Sequence, residues 1–221
     1  MAKKCFICGE PATSVDHIPP RSFFPKTKDM PSGVAEARKN LITVPACRDH
    51  NELYAKDDEV ASYVILLTSK ANSLGVRQFK QKAMRAISRS KGLIAAIFKK
   101  IEVYKLPDGT EMPTVQFDAD RVSRVMERIA RGLFYHEFGK PWDCSLSLLA
   151  DGPVMPDLSP NPFQEVIEQL SVRFRHSERK GSSPTVFWYE WSMGEEGDCS
   201  HILRMCFYEG LQYYAVHEAN Q

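Results

Sequence analysis

Two short motifs near the amino terminus, Cys5-Phe-Ile-Cys8 and Cys47-Arg-Asp-His50, decide how the first part of this chain folds. Each motif holds two metal-ligating residues separated by two others, which suits one side of a tetrahedral zinc ion. Thiolate and neutral imidazole are both good zinc ligands, and four of them leave no coordination position for a reacting water. The spacing therefore predicts a structural Zn²⁺ bound by Cys5, Cys8, Cys47 and His50.

The segment between the two motifs carries a second set of reactive residues. Asp16 and His17 end a short β-like run, Asn40 precedes another, and Asn51 directly follows the second motif. At these positions the sequence resembles the His-Asn-His (HNH) endonucleases, whose ββα-metal fold surrounds one divalent ion and in many members carries a zinc knuckle. The resemblance covers residues 5–59, about a quarter of the chain.

The resemblance implies a role for each of these residues. His17 takes the position of the general base that activates a water molecule, and Asn40 takes that of the residue that orients His17. Asp16 and Asn51 take the positions of oxygen ligands for a catalytic Mg²⁺ or Mn²⁺. The implied activity is metal-dependent hydrolysis of phosphodiester bonds, with DNA as the expected substrate and a 5′-phosphate as the product end.

The charge of the chain is unevenly distributed, although its net value is only +1. Residues 1–150 carry 24 Lys and Arg against 17 Asp and Glu, whereas residues 151–221 carry 5 against 11. The stretch 60–101 has nine basic residues and no acidic one. Such a stretch fits a phosphate backbone or, equally, a solvated helix face beside acidic neighbours. The candidate phosphate contacts are Arg21, Arg48, Arg77 and Lys80.

The predicted architecture is α+β in three regions. Residues 1–59 form the HNH module, residues 60–150 a basic and mainly helical region, and residues 151–221 a small antiparallel sheet of unknown role. A proline-rich join, 151–162, separates the last two regions, because four prolines in twelve residues exclude regular helix and central strand.

Local patterns predict the elements of the second and third regions. Apolar spacing predicts helices over Asp57–Ser69 and Ser73–Ser90, and a third helix that is capped by Asp118 or Asp120 and ends near Gly139. The Pro107-Asp-Gly sequence predicts a hairpin between flanking β-like runs. Period-2 alternation predicts four C-terminal strands, at Ser171–His176, Thr185–Trp191, His201–Tyr208 and Leu211–His217.

The remaining cysteines and histidines show no ligand-like spacing. The amino terminus lacks the apolar segment of a signal peptide, and no apolar run is long enough to span a membrane, which favours a cytoplasmic protein. In a reducing compartment disulfides are not expected. We therefore expect three cysteines to be small buried side chains, namely Cys144, Cys199 and Cys206. We also expect structural roles for three histidines without identified partners, namely His176, His201 and His217.

Three other interpretations of the sequence remain open. The first is a catalytically silent, zinc-stabilised nucleic-acid-binding module, and the second is a nuclease directed at RNA. The third makes the C-terminal sheet a partner-binding, self-associating or sensing domain that gates a nuclease, as in restriction or anti-phage defence. Its aromatic strand 187–191 could stack bases, although the acidic charge there favours core packing or a protein interface.

Overall fold

The computed structural model describes residues 3–32, 36–52, 54–68, 70–89, 100–105, 109, 111–152, 161–195 and 197–217. Its first part is a two-stranded antiparallel ribbon, β1 (Ser14–Ile18) and β2 (Ile42–Ala46), followed at once by the short helix α1 (Arg48–Glu52). We call β1, β2, α1 and the preceding turn at Cys5–Gly9 the N-terminal module.

The middle of the chain is helical around one hairpin. Helices α2 (Ala55–Leu67) and α3 (Ser73–Arg89) precede the antiparallel strands β3 (Lys100–Lys105) and β4 (Glu111–Gln116), and the long helix α4 (Ala119–Phe138) follows. Asp118 caps α4 by accepting a hydrogen bond from the Arg121 amide, and left-handed Gly139 ends it. The predicted helices and hairpin are confirmed.

The last part of the chain is a five-stranded antiparallel sheet with the order β5-β9-β8-β7-β6. Its strands are β5 (Leu146–Asp151), β6 (Lys180–Ser183), β7 (Phe187–Ser192), β8 (Ile202–Phe207) and β9 (Leu211–His217). Helix α5 (Gln164–Val172) lies between β5 and β6 in sequence. The α+β class and the C-terminal antiparallel sheet are thus confirmed.

The predicted strands of the sheet differ from the structure in three places: β5 and β6 were not predicted, and Ser171–His176 does not form a strand. The strand expected at Ser171–His176 is the end of α5 and a turn, because Ile167 and Phe174 reach the apolar cluster of Tyr214 from helix and turn geometry. Strand β5 begins before residue 151 and pairs with β9. The apolar run 93–98, the residues Lys91 and Lys99, and most of the proline-rich join lie outside the described residues.

The expected absence of disulfides is also wrong. Cys144 and Cys199 are joined by a disulfide, whereas Cys206 is a free buried thiol, as expected. The two bonded cysteines are 55 residues apart in sequence. Their spacing gave no signal because only the folding of the sheet brings them together.

One buried core joins the three regions of the chain. It includes Ile18 from β1, Ile65 from α2, Ile129 from α4 and Phe207 from β8. Helix α4 approaches β1 closely at Gly132, where an added Cβ would lie 2.6 Å from Ile18 Cγ1. Glycine is therefore required for the close contact that holds β1, with its reactive residues, against α4.

Among the described residues, every helix is either too short or too polar to cross a membrane.

Candidate metal centre and adjoining cavity

The four predicted zinc ligands lie together at the surface of the N-terminal module. Their ligand atoms are all within 4.8 Å of one another. The Cys8 and Cys47 sulfurs are 3.9 Å apart, and His50 Nδ1 lies 3.7 Å from Cys5 Sγ and 3.1 Å from Cys47 Sγ. Zinc–sulfur bonds of about 2.3 Å at the tetrahedral angle would separate two sulfurs by about 3.8 Å. The cluster therefore fits one tetrahedral Zn²⁺.

Local backbone structure explains this arrangement. The Cys5–Gly9 segment is a tight turn in which left-handed Gly9 (φ 73°) donates its amide to the Cys5 carbonyl at 3.0 Å. The Phe6 amide donates to the Pro45 carbonyl at 3.0 Å and so fastens the turn to β2. Cys47 lies directly before α1 and His50 in its first turn, three residues on, so that one helical turn places them on the same side.

A cavity of about 310 Å³ lies beside the metal cluster, between β1, α1 and α2. The polar side chains that line it are Asp16 and His17 from β1, Arg21 and Ser22 from the following turn, Asn51 from α1, and Asp58 from α2. The fold thus brings together three of the four residues that the HNH resemblance selects for catalysis, together with one predicted phosphate contact.

Asp16 faces inward, where it meets a buried arginine. Asp16 is 6% exposed and Arg128 is 3% exposed. Arg128 Nη1 lies 3.5 Å from Asp16 Oδ2, and Arg128 Nη2 donates to Asp58 Oδ1. Asp16 Oδ2 and the Nε and Nη1 atoms of Arg128 have no hydrogen-bond partner among the described residues. Two carboxylates therefore share one guanidinium, and the group retains one net negative charge next to the cavity.

Burial shifts the protonation of the cavity residues. Desolvation raises the pKa of Asp16 to about 6 despite the opposing charge of Arg128, and it raises the pKa of Asp58 as well. Desolvation, together with the positive charge of Arg21, lowers the pKa of His17. His17 is accordingly neutral at pH 7, with a ring nitrogen able to accept a proton.

The oxygen-bearing side chains of the cavity suit a hard divalent cation. Asn51 Nδ2 donates to Ser14 Oγ at 3.1 Å, which orients the amide and leaves its Oδ1 oxygen as the atom for a ligand. Asp16 Oδ2 is buried 3.5 Å from Arg128 Nη1 and accepts no hydrogen bond from the described residues. A carboxylate and an amide oxygen match the preferences of Mg²⁺ and Mn²⁺, and the residual negative charge favours a cation.

Asn40 and three of the basic candidates lie away from the cavity lining. Asn40 is exposed at a left-handed turn (φ 55°) before β2, and among the described residues it makes no hydrogen bond to His17. Arg48 pairs with Glu52 at 3.1 Å. Arg77 Nε donates to the Asp29 carbonyl at 3.2 Å, and Lys80 is exposed on α3.

Several members of the basic stretch are also engaged inside the protein. Lys70 pairs with Asp151 and Arg85 pairs with Asp29, both at 2.9 Å. Lys82 Nζ donates to the Ser22 carbonyl at 2.8 Å. Part of the positive charge of this stretch is thus engaged in contacts within the protein. The sequence alone does not reveal these contacts.

Two polar residues of this site were missed by the sequence reasoning. Asp58 reads as one of several acids at the start of a helix, and Arg128 as one of the arginines along an amphipathic helix. A weak signal for Arg128 was available, because its position three residues after Val125 and one before Ile129 places it on the apolar stripe of α4. A charged residue on such a stripe needs a buried partner.

Comparisons with protein-family profiles, with curated proteins and with solved structures find no match to this chain.

Proposed function

We propose that the chain is a metal-dependent endonuclease of the HNH type that hydrolyses phosphodiester bonds, with DNA as its substrate. The observation that carries this proposal is the meeting of Asp16, His17, Asn51 and Arg21 at one open cavity beside a Cys/His cluster. Asp16 and His17 come from β1, Arg21 from the turn that follows it, and Asn51 from α1; the chain order β1, β2, α1 is the order expected of a ββα-metal module.

The side chains at the cavity have separate roles in hydrolysis. His17 accepts the proton of the attacking water, since it is neutral and lines the open side of the cavity. Arg21 places a positive charge where a phosphate enters, which stabilises the charge that develops on the phosphoryl oxygens. Asn40 lies in the turn before β2, and its role here is to position the β1–β2 ribbon.

Asp16 and Asn51 would hold the catalytic Mg²⁺ or Mn²⁺, with Asp58 as a further carboxylate nearby. When bound, such an ion supplies Lewis-acid stabilisation of the phosphate and of the leaving oxygen. Arg128 fixes Asp16 and Asp58 from the protein side. The Cys5, Cys8, Cys47 and His50 cluster would hold Zn²⁺ in a structural role and keep α1 against the ribbon.

A binding-only function is the second candidate, and a specific observation favours it. Asn40 makes no hydrogen bond to His17 among the described residues, and Arg128 neutralises part of the charge that would attract a catalytic ion. In this alternative the zinc-stabilised module binds nucleic acid without cutting it. The exposed Lys80 and the cavity residue Arg21 would then be phosphate contacts only.

The decisive experiment compares cleavage by the wild type and by His17→Ala. Supercoiled plasmid, single-stranded DNA and RNA are incubated with each protein in EDTA, Mg²⁺ or Mn²⁺, and bound zinc is measured on both proteins. We expect metal-dependent cleavage of DNA by the wild type and a loss of about 100-fold or more in His17→Ala, the usual range for removal of a general base.

A matched control is His176→Ala, because His176 is an exposed histidine outside the cavity. It should cleave as the wild type does. Binding without cleavage by the wild type in every metal would support the silent binding module, and cleavage of RNA alone would redirect the site to RNA. Equal cleavage by wild type and His17→Ala would exclude His17 as the base.

A further inference from the structure

A second group of metal-ligating side chains lies at one end of the five-stranded sheet. Cys144 precedes β5, Cys199 lies in the turn before β8, and His217 ends β9. Their ligand atoms are within 4.8 Å of one another, and the two cysteines are joined by a disulfide. We propose that Cys144, Cys199 and His217 form a second binding site for a thiophilic divalent metal, and that the disulfide closes this site.

The hydrogen bonding of His217 is that of a metal ligand. Its Nδ1 lies 3.1 Å from the Ser145 carbonyl oxygen. A carbonyl only accepts, so Nδ1 carries the proton, and Nε2 keeps the lone pair that a metal requires. Metal-binding histidines usually donate their other ring N–H to a carbonyl or carboxylate, which fixes the tautomer and the direction of the ring.

Hydrogen bonds and an ion pair join the segments of the two cysteines in addition to the disulfide. Trp142 Nε1 donates to the Asp198 carbonyl at 3.2 Å, and Lys140 pairs with the Asp198 carboxylate at 2.7 Å. Arg131 Nη2 donates to the Cys144 carbonyl at 3.1 Å. These bonds tie the segment before β5 to α4 and to the turn of Cys199. After reduction, the two thiols therefore stay within reach of one metal ion.

Reduction of the disulfide opens the site, and a metal ion then fills it. A dithiol reductant transfers two electrons and two protons to the disulfide; the S–S bond breaks, two protein thiols form, and the dithiol becomes a cyclic disulfide. A divalent metal then binds two thiolates and the neutral imidazole, and releases the two thiol protons to the solvent. Two thiolates compensate the charge of the ion, and water fills the fourth position of a tetrahedron.

This site is chemically separate from the cluster in the N-terminal module. Cys5, Cys8 and Cys47 are free thiols in the structure, and none of them takes part in the disulfide. Oxidation at Cys144 and Cys199 therefore leaves the first cluster competent to bind. The reduced chain should accordingly bind one metal ion more than the oxidised chain.

The test counts metal ions on the full chain in two redox states. One sample is kept without reductant, and the other is treated with a dithiol that is then removed under anaerobic conditions. Both are titrated with Cd²⁺, whose thiolate complexes absorb in the ultraviolet, and metal per chain is measured after dialysis. We expect about one bound ion in the untreated protein and about two in the reduced protein, as one tetrahedral site is added.

Three variants assign the second ion. The double variant Cys144→Ser with Cys199→Ser should bind one ion in both states. His217→Gln keeps both cysteines, which form the disulfide when oxidised and two thiols when reduced. In the reduced protein it should weaken the binding of the second ion by at least about 10-fold. Cys206→Ser is the matched control, since this cysteine is buried in the same sheet outside the site; it should bind as the wild type does.

The outcomes separate cleanly. A single ion on the reduced wild type, or a second ion of unchanged affinity in His217→Gln, would overturn the proposal. If the double serine variant fails to fold, as judged by circular dichroism, His217→Gln decides the question because its cysteines are intact. The first ion, which depends on Cys5, Cys8, Cys47 and His50, serves as an internal measure of correctly folded protein.

Discussion

Asp16 of the N-terminal module and Glu190 of the five-stranded sheet are each buried against an arginine, and the two pairs are satisfied to different degrees. In the sheet, Glu190 is 1% exposed and accepts from Arg204 Nε at 2.6 Å, while the guanidinium lies over the ring of Phe174. At the module, Asp16 lies 3.5 Å from Arg128 of α4, and both keep polar atoms without hydrogen bonds within the part of the chain that the structure describes. The satisfied pair stabilises a core, whereas the unsatisfied pair lies next to a cavity and leaves buried polar atoms without partners among the described residues.

The two regions also differ in what holds their strands in place. The sheet pairs five strands and buries aromatic side chains along β7 and β8. The module has one ribbon of two five-residue strands, which is marginal by itself. It depends on α4, on α2 and on the Cys/His cluster. Four experiments test this difference, in order of decreasing effect.

Removal of the zinc ligands should have the largest effect. Cys8→Ser, or chelation of the metal, should unfold the N-terminal module, because structural zinc contributes on the order of 10 kcal/mol in small zinc domains. Hydrogen exchange would show fast exchange at the amides of β1 and β2, and retained protection in β8. Cys206→Ser provides the control. Uniform loss of protection would mean that the sheet cannot fold without the module.

Exchange of the two buried acids should separate function from stability. Asp16→Asn should lower metal-dependent cleavage by about 100-fold or more, since it removes a charged metal ligand. Glu190→Gln should leave cleavage per folded molecule unchanged and lower the free energy of unfolding by about 3 kcal/mol, because Arg204 is left as an unpaired buried charge.

Chemical denaturation and cleavage assays on both variants measure these effects. If Glu190→Gln reduced cleavage as much as Asp16→Asn does, at equal folded fraction, the comparison between the two pairs would fail.

An added methyl group at the contact between α4 and β1 should destabilise the folded chain. Gly132→Ala should lower the free energy of unfolding by about 1–3 kcal/mol, the range for overpacking, because its Cβ would press on Ile18. The double variant with Ile18→Val removes one of the clashing carbons and should lose less than the sum of the two single variants. Strict additivity in urea denaturation would show that the two residues do not contact each other.

The smallest effect concerns Lys82, which joins α3 to the turn after β1. Burial lowers the pKa of Lys82 to about 7. Between pH 7 and pH 10 the folded chain therefore holds fewer protons than the unfolded chain, so the free energy of unfolding rises with pH across this window. We expect a rise of about 1 kcal/mol, well below what the full pKa difference implies, because the amine keeps some solvent contact.

Lys82→Met should abolish this rise, and Lys80→Met is the matched control because Lys80 is exposed on the same helix. Both are followed by urea denaturation at several pH values. A rise in Lys82→Met equal to that of the wild type would assign the pH dependence to other groups.

Much of the local structure was predictable from local chemistry. The Asp118 cap fixes the start of α4, the Pro107-Asp-Gly turn predicts the β3–β4 hairpin, and alternation predicts β8 and β9. The strand predicted at 171–176 was wrong because alternation over six residues also fits the end of a helix followed by a turn. Strand β5, Leu-Ser-Leu-Leu-Ala-Asp, lacks clear alternation, and its pairing with β9 decides its conformation.

The sequence by itself determined the two halves of the Cys/His cluster and the pair Asp16 and His17, because a tight turn, one helical turn and adjacency in a strand set the spacing within each short segment. The tertiary structure alone decided which distant residues meet them. Arg128 reaches Asp16 from 112 positions along the chain, and Cys199 reaches Cys144 across 55. Local periodicity says which face of an element is apolar, but only the packing of complete elements decides which charges or thiols share a site.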